Sequence, residues 1–392
     1  MCMGTSLYLF NPENDMALAH AKSRFVVRHI VQKMKDDLSF LPAWYAERDG
    51  AILVPEVNIA KSYLSACPFG LSVNCVSEVK PIYERIVPWG WNPALCRTLK
   101  EKNLPSSAFP DENRMDKIRR LSARTTAVSL LQLLKDKVHG PLVGTSSVLK
   151  DEASVDAFLV RYDRVVLKAP WSGSGRGIQF ISSADVEAPQ RSWIQRTLNI
   201  QQCIVGEPAY MRVVDFAMEF RAEVDGEVHF AGYSLFETDD NGVYKRNLLA
   251  SDAVIEQRLS AYLSLNVLNE VRFMLEQLLA ELLHGAYTGY LGVDMMICRE
   301  GEAYLLHPCV EMNLRMNMGV VTRILSDRYL DPSTQGFFHI EYYPKPGEAL
   351  QFHHRMLEQH PLVLSSSKIQ HGYLSLTPVS SDTSFQIFIV VE

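Results

Sequence analysis

The chain has 392 residues, 47% of them hydrophobic and 21% charged, the balance of a folded protein with room for two or three domains rather than a disordered one. A formal net charge of −6, with no basic block or tail, argues against nucleic acid as the main partner. Seven scattered cysteines with no C-x-x-C pair give no zinc signature and suit a reducing compartment, and no stretch approaches the roughly 20 apolar residues of a membrane span, so a cytoplasmic protein is expected.

Residues 7–10 read as a short apolar strand that runs into Asn11-Pro12-Glu13-Asn14-Asp15, a polar knot, and then into a helix that Asn14 or Asp15 can cap. Strand, loop and helix in that order suggest an α/β domain whose loop lies at the carboxyl ends of the strands, where ligands tend to bind. Equally, Asn11, Glu13 and Asp15 only satisfy a tight turn. Residues 51–55 and 71–76 read as further strands, and Asn92 caps a helix over residues 93–100. A connector rich in Pro and Ser, residues 105–110, marks a boundary. Two helices follow, residues 115–121 and 125–134, hinged around Ser122. Arg119, Arg120 and Arg124 cluster there; most such arginines are solvated, but one could reach a phosphate.

A helix over residues 151–162 leads into the most distinctive stretch of the chain. Residues 165–168 form an apolar strand ending in Lys168, followed by Ser172-Gly173-Ser174-Gly175-Arg176-Gly177 and a second strand over residues 178–181. Glycines at alternate positions let the backbone approach a ligand closely. Loop amides, a lysine and an arginine together make a cradle for phosphate oxygens. The lysine precedes the glycines and a strand follows them, so this is neither a Walker loop nor a dinucleotide fingerprint. A flexible hairpin tip explains the stretch as well.

Residues 201–210 read as a strand ending at Glu207-Pro208. Residues 218–224 and 228–236 form a hairpin around Asp225-Gly226. Tyr244-Lys245-Arg246-Asn247 reads as a basic, polar loop, and residues 267–283 as a long amphipathic helix. Next comes a hairpin whose first strand, residues 289–298, carries Asp294. Its return strand continues into Glu311-Met312-Asn313-Leu314-Arg315. On an extended segment Glu311, Asn313 and Arg315 face one way, and Asp294 joins them if the strands pair. Two carboxylates and an amide are hard oxygen ligands suited to magnesium carrying phosphates. An arginine beside them stabilises charge in phosphoryl transfer. An exposed polar strand face is the alternative. The tail, from about Pro346, reads as a helix with His353 and His354, then strands over residues 372–376 and 385–391. Adjacent histidines on a helix face apart and do not suit a shared metal.

These three separated motifs, residues 165–178, residues 201–210, and Asp294 with Glu311-Met312-Asn313-Leu314-Arg315, together resemble the ATP-grasp superfamily. Within it they resemble bacterial proteins of carboxylate–amine ligase type that carry F-N-P-E-x-D and P-C-V-E-x-N-L-R segments. The similarity covers roughly residues 115–344. It implies a mixed α/β and α+β architecture: an ATP-grasp fold of two α+β subdomains, residues 115–205 and 206–345. An α/β domain, residues 1–114, would precede it, and a C-terminal extension, residues 346–392, would follow.

It also implies roles. Lys168 would hold the α- and β-phosphates of ATP, and Gly173, Ser174, Gly175 and Arg176 would form a flap over them. Gln202, Ile204 and Val205 would border the adenine, with Glu207 facing the ribose. Asp294, Glu311 and Asn313 would ligate one or two magnesium (or manganese) ions. Arg315 would stabilise the transferring phosphoryl group, and Arg124 stands nearest to where the family often has a second lysine. Lys245, Arg246 and Asn247 are candidates to hold a substrate carboxylate or the γ-phosphate, with Lys168, Arg246 and Arg315 as the catalytic set. Asn11, Glu13 and Asp15 are candidates to recognise a substrate amine. The implied activity joins a carboxylate to an amine or thiol through an acyl phosphate. A kinase on the same fold and a nucleotide-binding scaffold without turnover are the alternatives. The partners expected are ATP and small molecules, with no nucleic acid and no membrane, and a homodimer is left open.

Overall fold

The structure is a computed structural model that describes residues 6–20, 25–173, 177–239 and 244–392. Two compact units emerge, each assembled from separated parts of the chain. One comprises Met1–Met115, Lys245–Asp252 and Arg315–Glu392, the other Asp116–Tyr244 and Ala253–Leu314. The limits after residues 114, 205 and 345 drawn from the sequence divide the chain linearly rather than in space, and as domain limits they stand as a proposal.

The first unit contains a four-stranded parallel sheet in the order Val73–Val76, Gly50–Leu53, Ser6–Leu9, Arg85–Pro88. Alternation along Ser6–Leu9 feeds both faces. Leu7 and Leu9 enter a core with Ala51, Ile86 and Leu99, while Tyr8 enters another with Phe40 and Ile52. A sheet apolar on both faces must be covered on both, as parallel sheets are. The chain leaves Ser6–Leu9 toward one side and returns to pair on its other side with Arg85–Pro88. Such a reversal opens a crevice at the carboxyl ends of the strands. The Asn11–Asp15 knot and the Trp89-Gly90-Trp91-Asn92 turn lie there. Asn11 Nδ2 donates to Gly90 O (2.8 Å), and Gly90 N donates back to Asn11 Oδ1 (3.3 Å), which closes the two loops onto each other.

The expected cap is corrected here. Glu13 occupies the N-cap of the helix Asn14–Ala19, without a side-chain cap bond, because the side chains of Asn14 and Asp15 are engaged elsewhere. Asn92 does cap the helix Pro93–Glu101, accepting from Leu95 N at 2.9 Å.

The same unit holds an antiparallel array in the order Tyr244–Leu249, Gly336–Tyr342, Phe385–Val391, Lys368–Ser375, Val363–Ser365. The basic loop expected at residues 244–247 is instead part of a strand. Leu248 and Leu249 extend it into the core, and Arg246 pairs with His339, Asn247 with Phe338. Among the described residues five α-helices went unread: His29–Asp37, Val57–Ala66, Ala188–Gln201, Asp252–Ser260 and Met318–Tyr329. In the last, every residue from Gly319 to Ser326 is buried, so it has no polar stripe for periodicity to reveal.

The second unit has two antiparallel sheets. The smaller runs Ser147–Leu149, Ile204–Pro208, Arg164–Lys168, Ile178–Ser182. Helices Glu152–Arg161 and Ala188–Gln201 cover it, with Val155, Phe158, Val165, Leu167, Ile194 and Ile204 in their shared core. The larger contains Ala303–Asn313, Gly289–Glu300, Arg212–Ala222 and Val228–Thr238 in that order. The helix Leu265–Leu283 packs on its last two strands, and Arg124–Lys137 packs against Ala303–Asn313. Among the described residues no helix is long and apolar enough to cross a membrane.

Candidate active site

Lys168 ends the strand Arg164–Lys168, beside Ile204–Pro208 in a register that pairs Val166 with Glu207 and Lys168 with Val205. Two residues apart on the same pleat face, Lys168 and Glu207 meet: Nζ donates to Oε2 at 2.6 Å, and both side chains are buried. Ser146 Oγ donates to the other oxygen of Glu207 at 3.2 Å. The carboxylate expected to face a ribose is thus engaged on both oxygens by the protein. A buried charge needs such a partner, because desolvation without one costs several kcal/mol.

Beyond Lys168 the backbone is held from several sides. Ala169 N donates to Gly177 O (2.8 Å), which closes the base of the glycine loop. A Cβ at Gly177 would overlap the Ser172 side chain, so glycine is required for that closure. Gly173 lies within the described residues; Ser174, Gly175 and Arg176, expected to complete the flap, lie outside them. Arg124 is the keystone. Its guanidinium donates to Ala169 O (2.7 Å), Ser172 Oγ (2.5 Å) and Ser172 O (3.3 Å), and on the far side to Glu311 Oε2 (2.9 Å). One buried arginine therefore joins the lysine loop to the carboxylate strand. A lysine has no rigid fork to do this.

The expected pairing of the two strands is found. An irregularity between Asp294 and Met296 shifts the register, so that Asp294 lies directly opposite Glu311, and Asn313 Nδ2 donates to Asp294 Oδ2 at 3.0 Å. Glu311 and Asn313, two apart, share that face. The Cys309 thiol is buried among Glu207, Asp294, Lys168 and Glu311. Its pKa is pushed up by burial first and then by the negative charges of Glu207, Asp294 and Glu311. Lys168, Glu207, Asp294 and Glu311 thus all act on one buried side chain, within one unit.

No cluster of three His, Cys, Asp or Glu suited to a metal exists among the described residues. Two carboxylates with an amide is a partial oxygen set. Magnesium, which keeps waters and phosphate oxygens among its ligands, suits such a set better than a metal needing a closed cage.

Other expected residues are placed as follows. Gln202 caps the helix Ala188–Gln201 in a left-handed conformation (φ 69°), its amide turned back to Asn199 O at 2.9 Å. Ile204 and Val205 are fully buried strand residues. Arg246 belongs to the other unit, with its guanidinium 3.8 Å from the Phe337 ring centroid. Arg315 also belongs to that unit and is bound to Asp15.

Two neighbours went unseen in the sequence. Ser172 as an Arg124 acceptor left no signal. His307, wholly buried in the strand Ala303–Asn313, was open to discovery from its alternation with Glu311. Burial, opposed by Glu207 and assisted by Lys168 and Lys135, pushes its pKa down to about 4.

No protein-family model matches the chain, and no curated protein matches it in sequence. Solved structures do match. N5-carboxyaminoimidazole synthetase from Staphylococcus aureus, complexed with ADP, is 12% identical with a TM-score of 0.53; the match covers 100% of this chain and 94% of that one. The corresponding ribonucleotide synthetase from Thermus thermophilus gives 12% identity, TM-score 0.52, and 99% and 94% coverage. Biotin carboxylase from Campylobacter jejuni, in a β,γ-ATP complex, gives 12%, 0.53, and 99% and 87%. This is the ATP-grasp fold, over the whole length of the chain. At such identity the likeness is one of fold.

Proposed function

We propose that the protein is an ATP- and magnesium-dependent ligase that joins a carboxylate to an amine, or to a thiol, through an acyl phosphate. The observation that carries this reading is the bridge made by Arg124. It links the loop after Lys168 to Glu311, with Asp294 and Asn313 beside it. Positioning and neutralising a triphosphate needs fixed cations on one side and oxygen ligands on the other, and this bridge supports reading Lys168 and Arg124 as the first and Asp294, Glu311 and Asn313 as the second. The similar synthetase and carboxylase structures, solved with ADP and with an ATP analogue, support the nucleotide.

Lys168 and Arg124 would bind the phosphates, the glycine loop with Ser174, Gly175 and Arg176 would cover them, and Gln202, Ile204, Val205 and Glu207 would border the nucleoside. Asp294, Glu311 and Asn313 would hold magnesium, which would supply positive charge to offset that of the phosphates. Arg315 would stabilise the transferring phosphoryl group, and Arg246 a substrate carboxylate or that phosphoryl group. The amine or thiol would then attack the acyl carbon, the carbon–oxygen bond to phosphate would break, and inorganic phosphate would leave as the nucleophile's proton passes to it or to solvent, so no protein nucleophile is needed. A small-molecule kinase is the rival on the same residues.

Mutation tests the site. Lys168→Ala should weaken MgATP binding at least tenfold, consistent with loss of a charge-assisted contact. Glu311→Gln, which keeps an acceptor for Arg124, should retain the fold and lose ATP turnover. Calorimetry and ADP release read these out across a panel of acids and amines; unchanged binding and turnover in both variants would reject the assignment. Trapping with hydroxylamine separates an acyl phosphate from the stable ester a kinase would make.

A further inference from the structure

The chemistry expected of a ligase accounts for Arg315 but not for the company it keeps. Its Nε donates to both oxygens of Asp15, at 3.0 and 3.1 Å, and Nη2 donates to Asp15 Oδ2 at 2.9 Å. Nη1 donates to the adjacent carbonyl of Met316 at 3.2 Å. One edge of the guanidinium is thus matched against a carboxylate, and the plane of the group is fixed. Asp15 comes from the far end of the sequence, in the knot at the carboxyl ends of the parallel strands. The segment just after Arg315 is tied to the same place: Met316 N donates to Trp89 O at 2.8 Å, next to the Gly90 that holds Asn11.

The knot is built rather than incidental. Glu13 takes Lys35 (2.8 Å), Asn11 takes Gly90, and a Cβ at Gly90 would lie 2.5 Å from the Asn14 side chain. Every member of the knot is thereby held, and Asp15 presents its carboxylate to Arg315 from a rigid frame. A tight turn alone needs no such pairing with a residue 300 positions away.

We infer that Asp15 is a positioning residue for Arg315, setting the angle at which the guanidinium meets the terminal phosphate of the nucleotide. This rests on the ligase reading above, because it takes Arg315 to act on that phosphate. The crevice at the strand ends is where a substrate of an α/β domain binds. A residue there that fixes the plane of the arginine holds its guanidinium in one set orientation.

The test compares binding of MgADP with that of the magnesium complex of the imido analogue of ATP by calorimetry, in the full chain. It reads the ratio of the two dissociation constants, which an effect on folding alone leaves unchanged. Asp15→Asn should shift that ratio about tenfold toward ADP, as loss of a charged hydrogen bond does. Arg315→Ala should shift it comparably, and the double variant should go no further, since Asp15 acts only through Arg315. Arg315→Lys, which keeps the charge but not the fork, should reproduce the shift and serves if Asp15→Asn does not fold. An unchanged ratio in Asp15→Asn or Arg315→Lys, or additive shifts in the double variant, overturns the inference. A wild-type chain that binds neither nucleotide overturns the ligase reading and this one with it. Binding of both that Lys168→Ala weakens, with a ratio insensitive to Arg315, leaves the first standing and removes the second.

Discussion

Arg124 shows how much one side chain can organise. Four hydrogen bonds run from its guanidinium to two loop residues and one strand carboxylate, and it is buried while making them. Residue types alone did not set it apart from Arg119, which lies 4.0 Å over the Trp171 ring; only the resemblance singled it out, by its place near the family's second lysine. Lys168 was legible because a lysine at the end of an apolar strand before a glycine loop is uncommon. Its partner Glu207 was not, because the pairing depends on a strand register that residue types alone do not set.

His307 gives a pH prediction at this scale. Its ordinary pKa is about 6.5 and its folded value about 4, so between those values the unfolded chain binds a proton that the folded chain does not. Stability is therefore undiminished above pH 6.5 and falls as pH drops toward 4, by about 3 kcal/mol in total. Thermal melts from pH 7 to pH 4 should show wild type losing stability relative to His307→Leu. A gap between the two that is constant with pH would show that the imidazole does not resist protonation.

At the scale of elements, the hairpin carrying Asp294 and Glu311 was the most readable part of the chain. Alternation gave the shared face, but the register that runs from the Glu300-Gly301 turn would set Cys309 opposite Asp294; an irregularity between Asp294 and Met296 shifts the return strand and brings Glu311 there instead. The strand Tyr244–Leu249 was misread because a basic, polar start hid two leucines that continue it. The helix Met318–Tyr329 was missed because burial on all sides erases the periodicity that marks a helix. The turn around Gly90 tests how rigid the strand-end knot is. Gly90→Ala would drive a methyl group into the buried Asn14 side chain, so it should cost about 1–3 kcal/mol and lower the melting temperature by several degrees. An unchanged melt would mean that the knot yields easily.

For the whole molecule, the fold class followed from three motifs in the right order, and the structural matches extend over 99–100% of the chain. The composition of the two units was not foreseeable, because both are discontinuous in sequence. A nucleotide that binds only the folded chain raises its stability, by about 2.7 kcal/mol at a hundredfold excess over the dissociation constant. Melting temperature should therefore climb with MgATP concentration, and chelation of magnesium by EDTA should remove most of the rise. A melt indifferent to both additions would count against a magnesium nucleotide as ligand.

The strand order has a consequence for how this unit closes. Phe385–Val391 is an inner strand, flanked by Gly336–Tyr342 and Lys368–Ser375. The Trp44 indole, against the rings of Phe69 and Tyr329, donates to Leu376 O at 2.7 Å, across 332 positions of sequence. The rings of Trp44 and Phe69 can therefore gather early, while the indole's hydrogen bond waits on a long loop closure, the slow kind of step in folding.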